Sequence, residues 1–137
     1  MIKFEQRFDA NAYRIGDGTL SGTVTTLEEG QWVTYDANGE LVIAGAASVH
    51  AFLAMGSKRD GRDQVAGRPV KKITFLHGPF RLKTDQFDAT GTYATTMTPL
   101  TLADNGILTD ADMVAGDKVY AYAKGEPVDG FLLIYGV

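Results

Sequence analysis

Val33-Thr34-Tyr35-Asp36-Ala37-Asn38-Gly39-Glu40-Leu41 and Leu100-Thr101-Leu102-Ala103-Asp104-Asn105-Gly106-Ile107-Leu108 read as two versions of one pattern, 67 positions apart. Each is a run of alternating polar and apolar residues that enters Asn-Gly and leaves into a second apolar run. Asn and Gly tolerate the positive backbone angles of tight reversals, so each copy predicts a β-hairpin. A chain built on two such units is expected to be mainly antiparallel sheet.

Further strands are expected on either side of these hairpins. In the first half they fall at Thr23 to Leu27, Trp32 to Tyr35, Leu41 to Ala44, His50 to Met55, Val70 to Leu76 and Phe80 to Lys83. In the second, Lys118 to Ala123 alternates small and bulky residues with strand period. Gly130 to Gly136 is continuously apolar, which predicts a strand covered on both faces; Ala51 to Gly56 is its counterpart. Helix is expected only as short turns at Thr84 to Phe87 and Thr109 to Val114, where Thr109 would cap and Asp110 and Asp112 would lie near the positive end.

The expected architecture is therefore one compact antiparallel β barrel or sandwich. It has two related hairpin lobes, about 23–88 and 93–137, preceded by an extended N-terminal arm over 1–22. Phe4, Phe8 and Tyr13 are isolated aromatics on this otherwise polar arm, expected either to cap the barrel's open end or to bury only on a partner. In the latter case, deleting residues 1–15 would leave the fold intact. Between Met55 and Val70 lies a polar stretch with three glycines and one proline, expected to be an exposed loop.

At 137 residues the chain is long enough for one real core. Its longest apolar runs are too short to span a bilayer with a helix, and its opening alternates charged and apolar residues with no secretory pattern, so a soluble protein is expected. The absence of cysteine excludes disulfides and thiolate metal sites.

Net charge is −4, unevenly spread. Residues 58–83 carry eight basic and two acidic groups, whereas 84–137 carry two and eight. Arg59, Arg62 and Arg68 in the polar loop suit carboxylates on a neighbouring subunit, because the planar guanidinium pairs with a carboxylate in a fork. A solubilising loop is the bland counterpart. Lys58 to Lys72 contains no aromatic and the whole chain is acidic, which disfavours direct nucleic-acid binding.

Reaction chemistry has little footing. His50 and His77 are the only histidines, and neither has metal-ligand or triad spacing. There is no nucleophile elbow and no phosphate loop. Asp110-Ala111-Asp112 with Gly116-Asp117 lacks the glycine and final glutamate of a calcium loop. No catalytic residue, metal ligand or cofactor is assigned.

The order from Gln31 to Phe87 is a hairpin, a Gly/Ala-rich linker, Ala51-Phe52-Leu53-Ala54 and a polar loop, followed by Ile73-Thr74-Phe75-Leu76-His77-Gly78-Pro79-Phe80-Arg81 and Thr84-Asp85-Gln86-Phe87. It resembles the head decoration, or cement, proteins of lambda-like tailed bacteriophages, and Met97-Thr98-Pro99-Leu100 echoes their Met-x-Pro-Leu segment. The resemblance implies a small β-rich structural protein on the outer capsid surface of the virion, made in the host cytoplasm. Its partner would be the major capsid protein, with self-association as a trimer and no membrane or nucleic-acid contact. Phe4, Phe8, Tyr13, Arg59, Arg62 and Arg68 are then the candidate capsid contacts. The alternative is a β-barrel binding module, either a phage tail or baseplate component or a carbohydrate-binding domain. Its aromatic platform would be Trp32, Tyr35, Tyr120 and Tyr122, although such alternating aromatics more often pack a core.

Overall fold

The computed structural model describes residues 1–4, 14–59, 62, 71–93, 97–110 and 117–137. Eleven strands are named in that set: β1 (Ile2–Phe4), β2 (Arg14–Thr19), β3 (Trp32–Tyr35), β4 (Leu41–Ile43), β5 (Phe52–Ala54), β6 (Lys72–His77), β7 (Arg81–Thr84), β8 (Met97–Leu102), β9 (Leu108–Thr109), β10 (Ala121–Lys124) and β11 (Leu132–Gly136). They form a six-stranded sheet, β1-β7-β11-β10-β8-β9, and a five-stranded sheet, β2-β6-β5-β3-β4, with every named pair antiparallel. The sheets are not closed on one another, so the molecule is a β sandwich and not a barrel.

Both repeated hairpins form, with the same hydrogen bonds. Asp36 N–H donates to the Glu40 carbonyl and Gly39 N–H to the Asp36 carbonyl; Ala103, Ile107 and Gly106 repeat this pattern. Gly39 and Gly106 have φ of 75° and 74°. The reversals are three-residue loops in which glycine alone takes the left-handed angle. Asn38 and Asn105 sit before it at ordinary angles, where a two-residue turn would have placed them at positive φ.

The two lobes map onto the two sheets with one exchange. β3 to β6 lie in the five-stranded sheet and β8 to β11 in the six-stranded one. β7 crosses at the His77-Gly78-Pro79 turn to join the second sheet. The main core lies between the sheets and includes Trp32, Leu53, Leu76, Phe80, Leu82, Tyr93, Leu100, Tyr120, Leu132 and Ile134. A second cluster covers the opposite face of the five-stranded sheet, where Leu20, Val24 and Leu27 pack on Val33, Leu41, Ala54, Ile73 and Phe75. β3, β5 and β6 are thus covered on both faces. In β11 only Leu132 and Ile134 are buried, while Leu133 and Tyr135 are half-buried on the outer face, so the expectation for Gly130 to Gly136 does not hold.

Three further expectations are corrected. The described parts of the arm are extended but not free: β1 edges the six-stranded sheet, with Ile2 packed against the main core, and β2 pairs along six positions with β6. Gly16 makes the second pairing fit, because a Cβ there would stand 2.8 Å from the Phe75 ring. Thr23 to Leu27 is not a strand, since Ser21 accepts the Val24 N–H at its carbonyl and the Thr23 N–H at its hydroxyl and bends the chain locally. Thr84 ends β7 and its hydroxyl accepts the Gln86 N–H, replacing the expected helical turn at Thr84 to Phe87. Thr109 lies in β9, and 111–114 fall outside the described residues.

Candidate functional site

Of the six candidate contacts, Phe8, Tyr13 and Arg68 lie outside the described residues. Phe4 ends β1, its backbone paired with Leu82. Arg59 and Arg62 bridge to each other through both backbone N–H groups. The Arg59 guanidinium donates to Glu28 at 3.2 Å, so its carboxylate partner belongs to its own chain. Both side chains are exposed, and an ion pair in water contributes little. The described candidates lie on different elements, Phe4 in β1 and Arg59 and Arg62 in their own bridge.

The aromatic platform is dispersed. Trp32 and Tyr120 belong to the main core, where their rings meet edge to face at 6.1 Å. Tyr35 stacks on Phe52 and Phe75 on the outer side of the five-stranded sheet. Tyr122 is alone of the four on the outer side of the six-stranded sheet. Strand period separates Trp32 from Tyr35, three positions apart in β3; Tyr120 precedes β10 and is buried, whereas Tyr122 within it is exposed.

Strand register does assemble a different surface. Across the outer face of the six-stranded sheet, Arg81 pairs with Tyr135, Tyr135 with Tyr122 and Tyr122 with Pro99. The next row sets Lys3 opposite Lys83, Lys83 opposite Leu133 and Lys124 opposite Met97. Four cations surround an apolar centre, and no carboxylate occupies any of these paired positions. The Lys3 ammonium lies 4.0 Å from the centroid of the Phe131 ring, and the Arg81 guanidinium 5.5 Å from that of Tyr135. Met97 and Tyr122 are exposed. Lys3 and Lys83 are a like-charge cross-strand pair.

Sequence reading saw a basic block at 58–83 but not this face. Lys3 and Lys124 lie at the two ends of the chain, and only the order β1-β7-β11-β10 brings them beside Arg81 and Lys83. The signal available was alternation: Arg81-x-Lys83, Tyr122-x-Lys124 and Leu133-x-Tyr135 each put their outward residues on one side.

The two histidines, 27 positions apart in sequence, line one cleft. A cleft of about 280 Å³ at one end of the sandwich is lined by His50, His77, Trp32, Phe52, Lys118 and Tyr120, among others. Lys118 donates to the Val49 carbonyl and Tyr120 to the Ser48 carbonyl, which grip the segment leading into β5 and hold His50 at the rim. Burial pushes the Tyr120 phenol above its ordinary pKa, so it remains a donor. Among the described residues no group of three or more His, Asp or Glu is placed to hold a metal ion. No described helix is long and apolar enough to cross a membrane. Comparison of the chain with protein-family models, with curated proteins and with solved structures returns no match.

Proposed function

We propose that the protein is a structural docking module, and that its role is decoration of the exterior of a bacteriophage capsid. The observation that carries the docking reading is the outer face of the six-stranded sheet. Its apolar centre of Tyr122, Leu133, Met97 and Pro99 has Lys3, Arg81, Lys83 and Lys124 around it. An apolar middle with a charged rim is the anatomy of a protein–protein contact. The described side chains of this face carry positive charge on a chain of net charge −4, with Lys3 opposite Lys83 in the register. Such a surface suits a carboxylate-bearing protein partner. Lys3 and Arg81 already lie on the Phe131 and Tyr135 rings, which leaves those ring faces little room for stacked bases.

The capsid as partner rests on the sequence resemblance of Gln31 to Phe87 to head decoration proteins. Many copies on one shell would turn modest individual contacts into strong collective binding. The major capsid protein is the proposed partner, and the trimer implied by the resemblance is the proposed form of self-association. Cosedimentation with purified, expanded, empty heads of the encoding virus tests both parts. The full chain is expected to pellet with heads, and the charge-reversed Lys83→Glu/Lys124→Glu variant to stay in the supernatant while still giving a cooperative thermal melt. A wild-type chain that never pellets overturns the capsid role. A variant that pellets equally well removes this face from the contact.

A further inference from the structure

We infer that the cleft holding both histidines is a binding site for a small organic acid: a carboxylate attached to a flat apolar body. This inference is independent of the docking face, which lies on the six-stranded sheet, whereas the cleft opens at an end of the sandwich.

The walls set the shape of the ligand. Trp32 and Tyr120 supply aromatic surface to a space of about 280 Å³. That suits a single planar ring carrying one polar group. Apolar walls with a few convergent polar groups are the usual composition of a small-molecule site.

The polar groups set the charge. His50, His77 and Lys118 line the cleft, and among the described residues no aspartate or glutamate lines it. The His77 ring touches the Phe52 and Phe75 rings at its edges and faces. Lys118 gives one proton to the Val49 carbonyl and, as an ammonium, carries two more. Trp32 is 3% exposed and its indole N–H has no hydrogen-bond partner. A buried donor left unpaired is costly and rare, and here it belongs to a residue lining the same cleft. The imidazoles and the ammonium present donors to whatever enters, and a carboxylate supplies only acceptors.

The chain carries its own reporters, because Trp32 is the only tryptophan and His50 and His77 are the only histidines. Benzoate is the probe, followed by the Trp32 indole N–H and the two imidazole signals in NMR spectra of the full chain. Benzylamine, of the same shape and opposite charge, is the control. The expected result is a saturable, millimolar-range shift of all three signals with benzoate and none with benzylamine. His50→Ala/His77→Phe keeps a ring beside Phe52 and is expected to weaken benzoate about tenfold, the loss of one charge-assisted hydrogen bond. If the double variant unfolds, His50→Ala alone, altering an exposed rim residue, is expected to weaken benzoate about threefold on the same hydrogen-bond scale. Absence of saturation with benzoate, equal shifts with benzylamine, or unchanged affinity in a folded variant overturns the inference.

Discussion

Gly39 and Gly106 share φ, loop length and hydrogen bonds, yet the sites around them differ. A Cβ at Gly39 meets nothing within 4 Å, whereas at Gly106 it would stand 2.7 Å from the Trp32 carbonyl oxygen and 3.0 Å from Ile43. The Gly106 hairpin is docked against the other sheet, since the Gly106 carbonyl accepts the Trp32 N–H. Gly39→Val is therefore expected to cost about 1–3 kcal/mol for the strained backbone alone. Gly106→Val is expected to cost clearly more. Gly22→Ala, in open space, should leave the thermal melt unchanged. Equal losses at the two turns would contradict the docking of the second hairpin. Asp88 offers a second test. Hydrogen bonds to its carboxylate from the Thr90 hydroxyl, the Thr90 N–H and the Thr109 hydroxyl hold its pKa below the ordinary 3.8, against the opposing effect of burial. A lowered folded-state pKa gives stability that is present above 3.8 and lost as pH falls through the folded value. Asp88→Asn should thus be less stable than wild type near neutrality, and the difference should shrink in melts taken at successively lower pH. Nothing in the sequence around Asp88 marked it: Thr109 reaches it only through the bridge between Phe87 and Leu108.

Among the elements, the two sheet edges at the N-terminal end of the chain are the ones whose role the structure changes. Residues 1–15 contain β1 and the first two residues of β2, which pair with β7 and β6. Removing them exposes two edges and strips Ile2 from the main core, so the truncated chain is expected to melt at least about 5 °C lower, a loss of order 1 kcal/mol or more for a domain of this size. A truncation with an unchanged melt would restore the free-arm reading. The strands themselves were largely legible: Trp32–Tyr35, Leu41–Ile43, Lys72–His77, Arg81–Thr84, Ala121–Lys124 and Leu132–Gly136 all fall within or beside the stretches marked by apolar alternation. What alternation cannot distinguish is which face a neighbour covers. Phe131 to Tyr135 looked enclosed because every residue is apolar, and it proves to have one open side. Leu133 and Tyr135 lie on the proposed docking face, so the misreading and the proposal have one cause.

For the whole molecule, charge is the property that links fold to role. The outer face of the six-stranded sheet gathers Lys3, Arg81, Lys83 and Lys124 on a chain that is acidic overall. If that face meets a carboxylate-bearing shell, head binding should fall steeply as salt rises, because exposed charges are screened over about 8 Å at physiological ionic strength. Replacing Arg59 and Arg62 by Ser should change this dependence little, since Arg59 is matched by Glu28 in its own chain. A flat salt response of the wild type would remove charge from the interaction. By itself, the sequence determined that the chain is antiparallel sheet and where the two equivalent reversals fall, because backbone angle at Asn-Gly and the two-residue strand period are local properties. The tertiary structure alone decided that the strands divide into an open sandwich, that β7 changes sheet, that the four basic side chains share one face, and that His50 and His77 share a cleft with Trp32. Each of these depends on which strands lie side by side, and that is settled by burial between segments far apart in the chain, which no local pattern records.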